Sequence, residues 1–178
     1  ISPYFIKTCA REISTPLHIL FNKSLLAGVF PTLWKKAIIV PIYKSGDKCL
    51  CENYRPISIL SSFAKVFESL IYDHLYHHVS PYISSSQHGF VNCRSTISNL
   101  LIYKDYLCSA FANRQQVDAI YTDFQKAFDK VNHSLLCNKL NTFGVCGDLL
   151  RWISSYLSRR SQLVAIRGFL SSEIIVPS

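Results

Sequence analysis

The sequence predicts an α+β fold, on three observations. Stretches with the three-four apolar spacing of helices interleave with short β-branched runs, without a strict strand-helix-strand repeat. Residues 62–75 carry the strongest helical stripe, with Phe63, Val66, Phe67, Leu70, Ile71 and Leu75 on one face. The runs KAIIVPIYK (Lys36 to Lys44), QLVAIRG and EIIVP are compact, apolar and β-branched, as strands are, and the last two read as a hairpin.

Taken in order, the first element is a helix in which Thr15 is the cap and Pro16 the first-turn residue. Leu17, Leu20, Phe21 and Leu25 form its apolar face and Gly28 its stop. In the strand that follows, Pro41 has no N–H to give a ladder, so it argues for an edge position or a bulge. SGDKCLCENYRP is a polar loop. Ser62 opens the long helix, which closes near Pro81, and the Ser-rich SPYISSSQHGF is a loop. Ser95 or Thr96 then caps a helix bearing Ile97, Leu100, Leu101, Leu107 and Phe111. Residues 117–123 read as a strand, and short helices follow at about Ser134 to Phe143 and about Asp148 to Leu157 before the final hairpin.

A chain of 178 residues that is 49% hydrophobic and 13% aromatic has enough apolar surface for one core or two small lobes. It begins at Ile1 and has no Met, so it is expected to be an internal piece of a longer product. The net charge of +8 fits a polyanionic partner such as nucleic acid, or simply a basic soluble surface. Seven cysteines, odd in number and scattered, fit a reducing compartment. Cys49-Leu50-Cys51 is not the Cys-x-x-Cys of a zinc knuckle, and with His74, His77 and His78 it is assigned no metal. The longest apolar run is AIIVPIY, seven residues against the about 20 of a membrane span, so no membrane is expected.

The stretch with most chemistry in it is IYTDFQKAFDKVNH, Ile120 to His133. Asp123 follows Val117, Ala119, Ile120 and Tyr121, an acid at the end of an apolar strand. It is either a solvated strand-end carboxylate or a metal ligand that a rigid element holds in place. Asp129, six residues on, caps the next turn or bonds a neighbouring base such as Lys130, and is given no metal.

Four segments in order resemble the reverse transcriptases of non-LTR (LINE-type, jockey-like) retrotransposons. They are WKKAIIVPIYKSGDK (Trp34 to Lys48), NYRPISILSSFAKVFE (Asn53 to Glu68), QHGF with RST (Gln87 to Thr96), and DFQKAFDKVNHSLL. The resemblance implies the right-handed polymerase fold: residues 1–33 a helical lead-in, 34–116 the fingers, and 117–178 a partial palm that ends before the second catalytic motif. It implies an RNA-directed DNA polymerase that joins deoxynucleoside triphosphates to a DNA primer on an RNA template. Two Mg2+ ions would be held by carboxylates, in an intracellular ribonucleoprotein of cytoplasm and nucleus.

The same resemblance implies roles for individual residues. Asp123 is the first metal-binding carboxylate and the carbonyl of Phe124 a further ligand. The amides of Lys126 and Ala127 lie near the incoming triphosphate, and Phe128 lies beneath the sugar, excluding a 2′-hydroxyl. Lys44 and Arg55 grip the triphosphate, Arg55 through its planar fork. Lys65 and Arg94 contact template backbone. Two departures stand out. Val91 follows Gly89-Phe90 where the family carries Arg, and this chain stops before an aromatic-x-Asp-Asp pair, so the other metal carboxylates are not in it. The chain by itself is therefore expected to be inactive, and the rival reading is a non-catalytic, basic nucleic-acid-binding remnant of a decayed element.

Overall fold

The computed structural model describes Ile1 to Val176, in two compact units: residues 1–76 with 128–176, and residues 77–127. The first unit is helices on a mixed sheet. Its helices are α1 (Pro3–Thr8), α2 (Ala10–Ala27), most of α3 (Ser62–Val79), α5 (His133–Thr142) and α6 (Gly147–Leu157). Its strands are β1 (Lys36–Tyr43), β2 (Tyr54–Ile59), β3 (Ser161–Ile166), β4 (Phe169–Leu170) and β5 (Ile174–Ile175), in the order β2-β1-β3-β4, with β5 also on β3. β1 runs antiparallel to β2 and parallel to β3, Lys36 to Ile39 lying beside Ser161 to Val164.

The core explains why these elements form. α2 contributes Phe21, α3 Ala64 and Phe67, β1 Ala37 and Ile39, and α6 Trp152 and Ile153, all buried, with Phe30 from the α2–β1 connection. Phe21 and Phe67 stack at 4.2 Å between ring centres, and Trp152 meets Phe67 edge-on at 4.9 Å. Ser24 is buried among them without being orphaned: it accepts from the Trp152 indole at 3.0 Å and donates to the Val29 carbonyl at 2.6 Å. Gly28 ends α2 with φ 65, where a Cβ would lie 2.8 Å from Cβ of Arg151 on α6. Glycine is needed there both for the left-handed turn and for the close approach of α6.

Three sequence expectations are corrected. The first helix does not open at Thr15; α2 runs from Ala10 with Pro16 inside it. Ile13, Leu17 and Phe21 line one apolar groove with Val66 and Leu70 of α3. The apolar stripe, half-buried at Ile13 and Leu17, thus starts a turn before the proline, and packing carries the helix through the lost N–H. The expected strand at 117–123 is irregular chain. Its residues have the right β-propensity, but no other strand exists in their unit among the described residues, and a lone strand leaves its backbone groups without a ladder. The terminal hairpin has an extra strand: β3 turns back at Arg167 and Gly168, both at positive φ, into β4, and β5 then pairs with Ser161 and Gln162. Pro177 of the expected EIIVP strand lies outside the described residues.

Of the other expectations, α3 does end in a turn containing Pro81, whereas Tyr54 to Pro56, read as the end of a polar loop, belong to β2. Asn132 caps α5 by accepting from the Leu135 amide at 3.0 Å. Pro41 faces Pro56 across β1 and β2, beyond the last residue that pairs with β3. Both prolines are tolerated because a non-hydrogen-bonded pair asks no N–H of either.

In the second unit the main element is α4 (Thr96–Ala112), capped by Ser95, whose hydroxyl accepts from the Ser98 amide while Ser98 accepts from the Ser95 amide. His88 is buried against Ser98, with Nδ1 2.9 Å from the hydroxyl.

Candidate active site

The β1–β2 hairpin of the first unit positions Lys44 and Arg55. Arg55 lies opposite Ile42 in the ladder, and the Lys44 amide extends the pairing by donating to the Asn53 carbonyl at 2.8 Å. Side chains alternate along a strand, so Ile42, Lys44 and Arg55 share one face, and both cations are exposed. The structure therefore brings together the two residues expected to grip a triphosphate.

The loop between them is built rather than loose. Tyr43 and Tyr54 pair edge-on at 5.7 Å; Tyr43 donates to the Gly46 carbonyl at 2.6 Å and Tyr54 to the Lys48 carbonyl at 2.9 Å. Asn53 donates to the Asp47 carbonyl at 2.8 Å, and a Cβ at Gly46, φ 92, would stand 2.7 Å from the Asn53 amide nitrogen. The Lys48 ammonium lies 5.5 Å from the centre of the Tyr43 ring. Reading the sequence missed this frame, although Tyr43 and Tyr54, which flank the loop and alternate with Ile42 and Arg55, were the available signal.

Also in the first unit, Lys65 is exposed on α3, and Phe128 lies in a turn and is 79% exposed. Glu68, one helical turn along from Lys65, is raised in pKa by burial, with Arg160 pulling the other way.

In the second unit Asp123, Phe124, Lys126 and Ala127 lie on irregular chain and turn, and all are exposed. Tyr121, two residues before Asp123, tethers this stretch to α4 by donating to the Tyr103 hydroxyl at 3.2 Å. Lys126 has φ 53, so the chain turns sharply where its amide and that of Ala127 are expected to meet phosphate. Arg94 has an intrachain role that sequence reading did not foresee: its Nη1 donates to the carbonyls of Gln87, at 2.7 Å, and Ser85, closing the loop before α4.

An exposed carboxylate beside a main-chain carbonyl is a hard-oxygen donor set suited to Mg2+, which typically takes one or two carboxylates and completes its shell with phosphate oxygens and water. Asp123 and Phe124 fit as one part of such a site. Among the described residues no group of three or more His, Cys, Asp or Glu side chains is placed to hold an ion. No described helix is long and apolar enough to cross a membrane.

Residues 42–175 match the family described as reverse transcriptase (RNA-dependent DNA polymerase). The chain belongs to that family. The probable RNA-directed DNA polymerase from transposon BS of Drosophila melanogaster is 32% identical over 164 residues, 87% of this chain and 17% of that protein. The RNA-directed DNA polymerase from mobile element jockey of the same species is 32% identical over 88% of this chain and 17% of its own length. The probable polymerase from transposon X-element, also of Drosophila melanogaster, is 28% identical over 94% of this chain and 19% of its own length. The resemblance to non-LTR, jockey-like elements is thus upheld, and the helices and mixed sheet are part of a reverse transcriptase domain. The chain spans about 17% of the length of the first two relatives. Reverse transcriptases as a family use divalent metal ions, RNA templates and nucleotide substrates.

Proposed function

We propose that this chain supplies the fingers, 34–116, and the first part of the palm, 117–178, of an RNA-directed DNA polymerase from a non-LTR retroelement. The observation that carries the reading is the pairing of Lys44 and Arg55 on one face of a braced hairpin, within a chain whose residues 42–175 match the family. Packing divides the chain along different lines, because compactness and role in catalysis are separate criteria.

In this reading Lys44 and Arg55 hold the triphosphate of the incoming deoxynucleotide, Arg55 through paired N–H donors. In the second unit, the amides of Lys126 and Ala127 are donors suited to nucleotide phosphate. Asp123 and the Phe124 carbonyl would contribute ligands to Mg2+ together with carboxylates from elsewhere in the polymerase. Bound there, the metal would supply charge for lowering the pKa of the primer hydroxyl and for neutralising the transferring phosphate. Phe128 fills the space beneath the sugar, and Lys65 and Arg94 contact template backbone. The seven free cysteines support an intracellular setting, in cytoplasm and nucleus.

Two expected results arise here. In a polymerase carrying this chain, Phe128→Ala admits ribonucleotides, lowering the preference for deoxynucleotide over ribonucleotide by about a hundredfold, the scale on which pockets reject an extra group. Single-nucleotide incorporation kinetics check it, and unchanged discrimination by a folded variant moves Phe128 to a packing role.

The second result concerns the chain itself, which should bind single-stranded RNA with little sequence preference. The slope of log affinity against log salt should be about −2 to −4, for roughly three to six phosphate contacts at about 0.7 each. Fluorescence anisotropy across a salt series measures it, and Lys65→Ala with Arg94→Ala should flatten the slope more than Lys44→Ala with Arg55→Ala does. A flat dependence from the start, with the chain folded, counts against the proposed function.

A further inference from the structure

A second group of cations lies at the other end of β1. Lys35 immediately precedes β1 and Arg160 immediately precedes β3, and these strands are parallel neighbours with Lys36 beside Ser161. The Ser161 amide donates to the Lys35 carbonyl at 3.3 Å, so Lys35 and Arg160 start their strands side by side. Lys35 is 8% exposed, and among the described residues its ammonium has one hydrogen-bond partner, the Ser155 hydroxyl on α6 at 3.3 Å. The Arg160 guanidinium lies 4.8 Å from the centre of the Tyr156 ring, with Nη1 donating to the Tyr156 carbonyl at 3.2 Å. Arg159 is exposed, has no partner among the described residues, and has φ 50, a left-handed conformation uncommon for a side chain of its size.

These charges outnumber the acids around them, because Glu173 is taken up by Lys36 and the Ser161 side chain. The acid facing Arg160 is Glu68, with Lys65 close to it, and burial holds the Glu68 pKa up. The C-terminus of α6 offers at most about half a negative charge to the arginines that follow it. Burial does most to lower the Lys35 pKa, and Arg160 and Arg159 lower it further. A buried ammonium kept beside two guanidiniums without a matching set of carboxylates is costly unless an anion is part of the design.

We propose that Lys35, Arg159 and Arg160 form a phosphate-binding site for a nucleic-acid backbone, separate from the β1–β2 loop. Arg159 is the open arm. Arg160, held over the Tyr156 ring, has further N–H donors to offer, and Lys35, fixed by Ser155, adds positive potential. The eight residues of β1 place this site about 26 Å from the hairpin loop at about 3.3 Å per residue, so substitutions at the two ends act independently. The inference rests on the nucleic-acid-binding reading above.

The test is anisotropy of a short single-stranded RNA with the 178-residue chain, comparing wild type, Arg159→Gln, Arg159→Gln with Arg160→Gln, and Lys44→Ala with Arg55→Ala. Thermal melting checks folding, and the exposed Arg159→Gln variant is a probe that leaves the core untouched. The single variant should flatten the salt slope by about 0.7 and the double by about 1.4, additively with the hairpin pair. Inorganic tripolyphosphate, followed through the Arg159 side-chain NMR signal, separates backbone from nucleotide phosphate. A shifted signal with an unchanged RNA slope assigns the site to a free nucleotide tail and overturns the proposal. RNA binding that loses slope in the hairpin pair but not in the arginine pair overturns this inference alone; no RNA binding by the wild type overturns it together with the proposed function.

Discussion

Asp123→Asn, made in a polymerase that carries this chain at the length of its relatives, should lower kcat for primer extension on RNA by about a thousandfold or more. The substitution keeps the side chain's size and removes its charge, which is the property a Mg2+ ligand needs. Asp123 is exposed and among the described residues has no hydrogen bond or ion pair to lose, so the melting temperature should not move. Primer extension under single-turnover conditions measures the loss, with nucleotide affinity as the control, because Lys44 and Arg55 lie on a separate hairpin. Retained turnover places the catalytic ion elsewhere. The 178-residue chain alone should not extend a primer, since among the described residues Asp123 has no companion set of ligands.

Phe67→Ala should cost about 3–5 kcal/mol of folding stability. Phe67 is 1% exposed at the centre of the first unit, stacked on Phe21 at 4.2 Å and met edge-on by Trp152 at 4.9 Å and Trp34 at 6.3 Å. Truncation removes both its burial and these ring contacts, and the surrounding helices close only part of the space. Against a total stability of about 5–15 kcal/mol, that leaves the variant marginal. Chemical denaturation gives the value, with Leu33→Ala as control, since Leu33 is 89% exposed. A loss below about 1 kcal/mol would show that the ring cluster does not organise this unit.

The sequence carried most of the elements and part of the site, for reasons that can be traced. The helix α3 was legible from the spacing of Phe63, Val66, Phe67 and Leu70, although of these only Phe67 is buried in the chain. The strand KAIIVPIY was legible from its compact β-branched run, and its Pro41 was placed by the absence of an N–H. Pro16 misled because local propensity was set against an apolar stripe that begins at Ile13, and packing outweighs propensity. Residues 117–123 misled in the opposite sense: their β character is real, but a ladder needs a neighbour that local sequence does not reveal.

At the site, the cations Lys44 and Arg55 were named from family resemblance, whereas their shared face comes from strand register. The Tyr43, Asn53 and Tyr54 frame, the Arg94 clamp and the Tyr121–Tyr103 tether depend on which carbonyl or hydroxyl a side chain reaches. No periodicity encodes that. Likewise Lys35 and Arg160 are far apart in sequence and meet because β1 and β3 run parallel.

The most direct measurement of the central claim is localisation of the metal. With the chain in a polymerase of its relatives' length, Fe2+ is substituted for Mg2+ and the sites of radical backbone cleavage are mapped. Cleavage at and beside Asp123–Phe124, abolished by Asp123→Asn in a protein that still melts as wild type, is the predicted result; cleavage that avoids this segment, or persists unchanged in the variant, would contradict it.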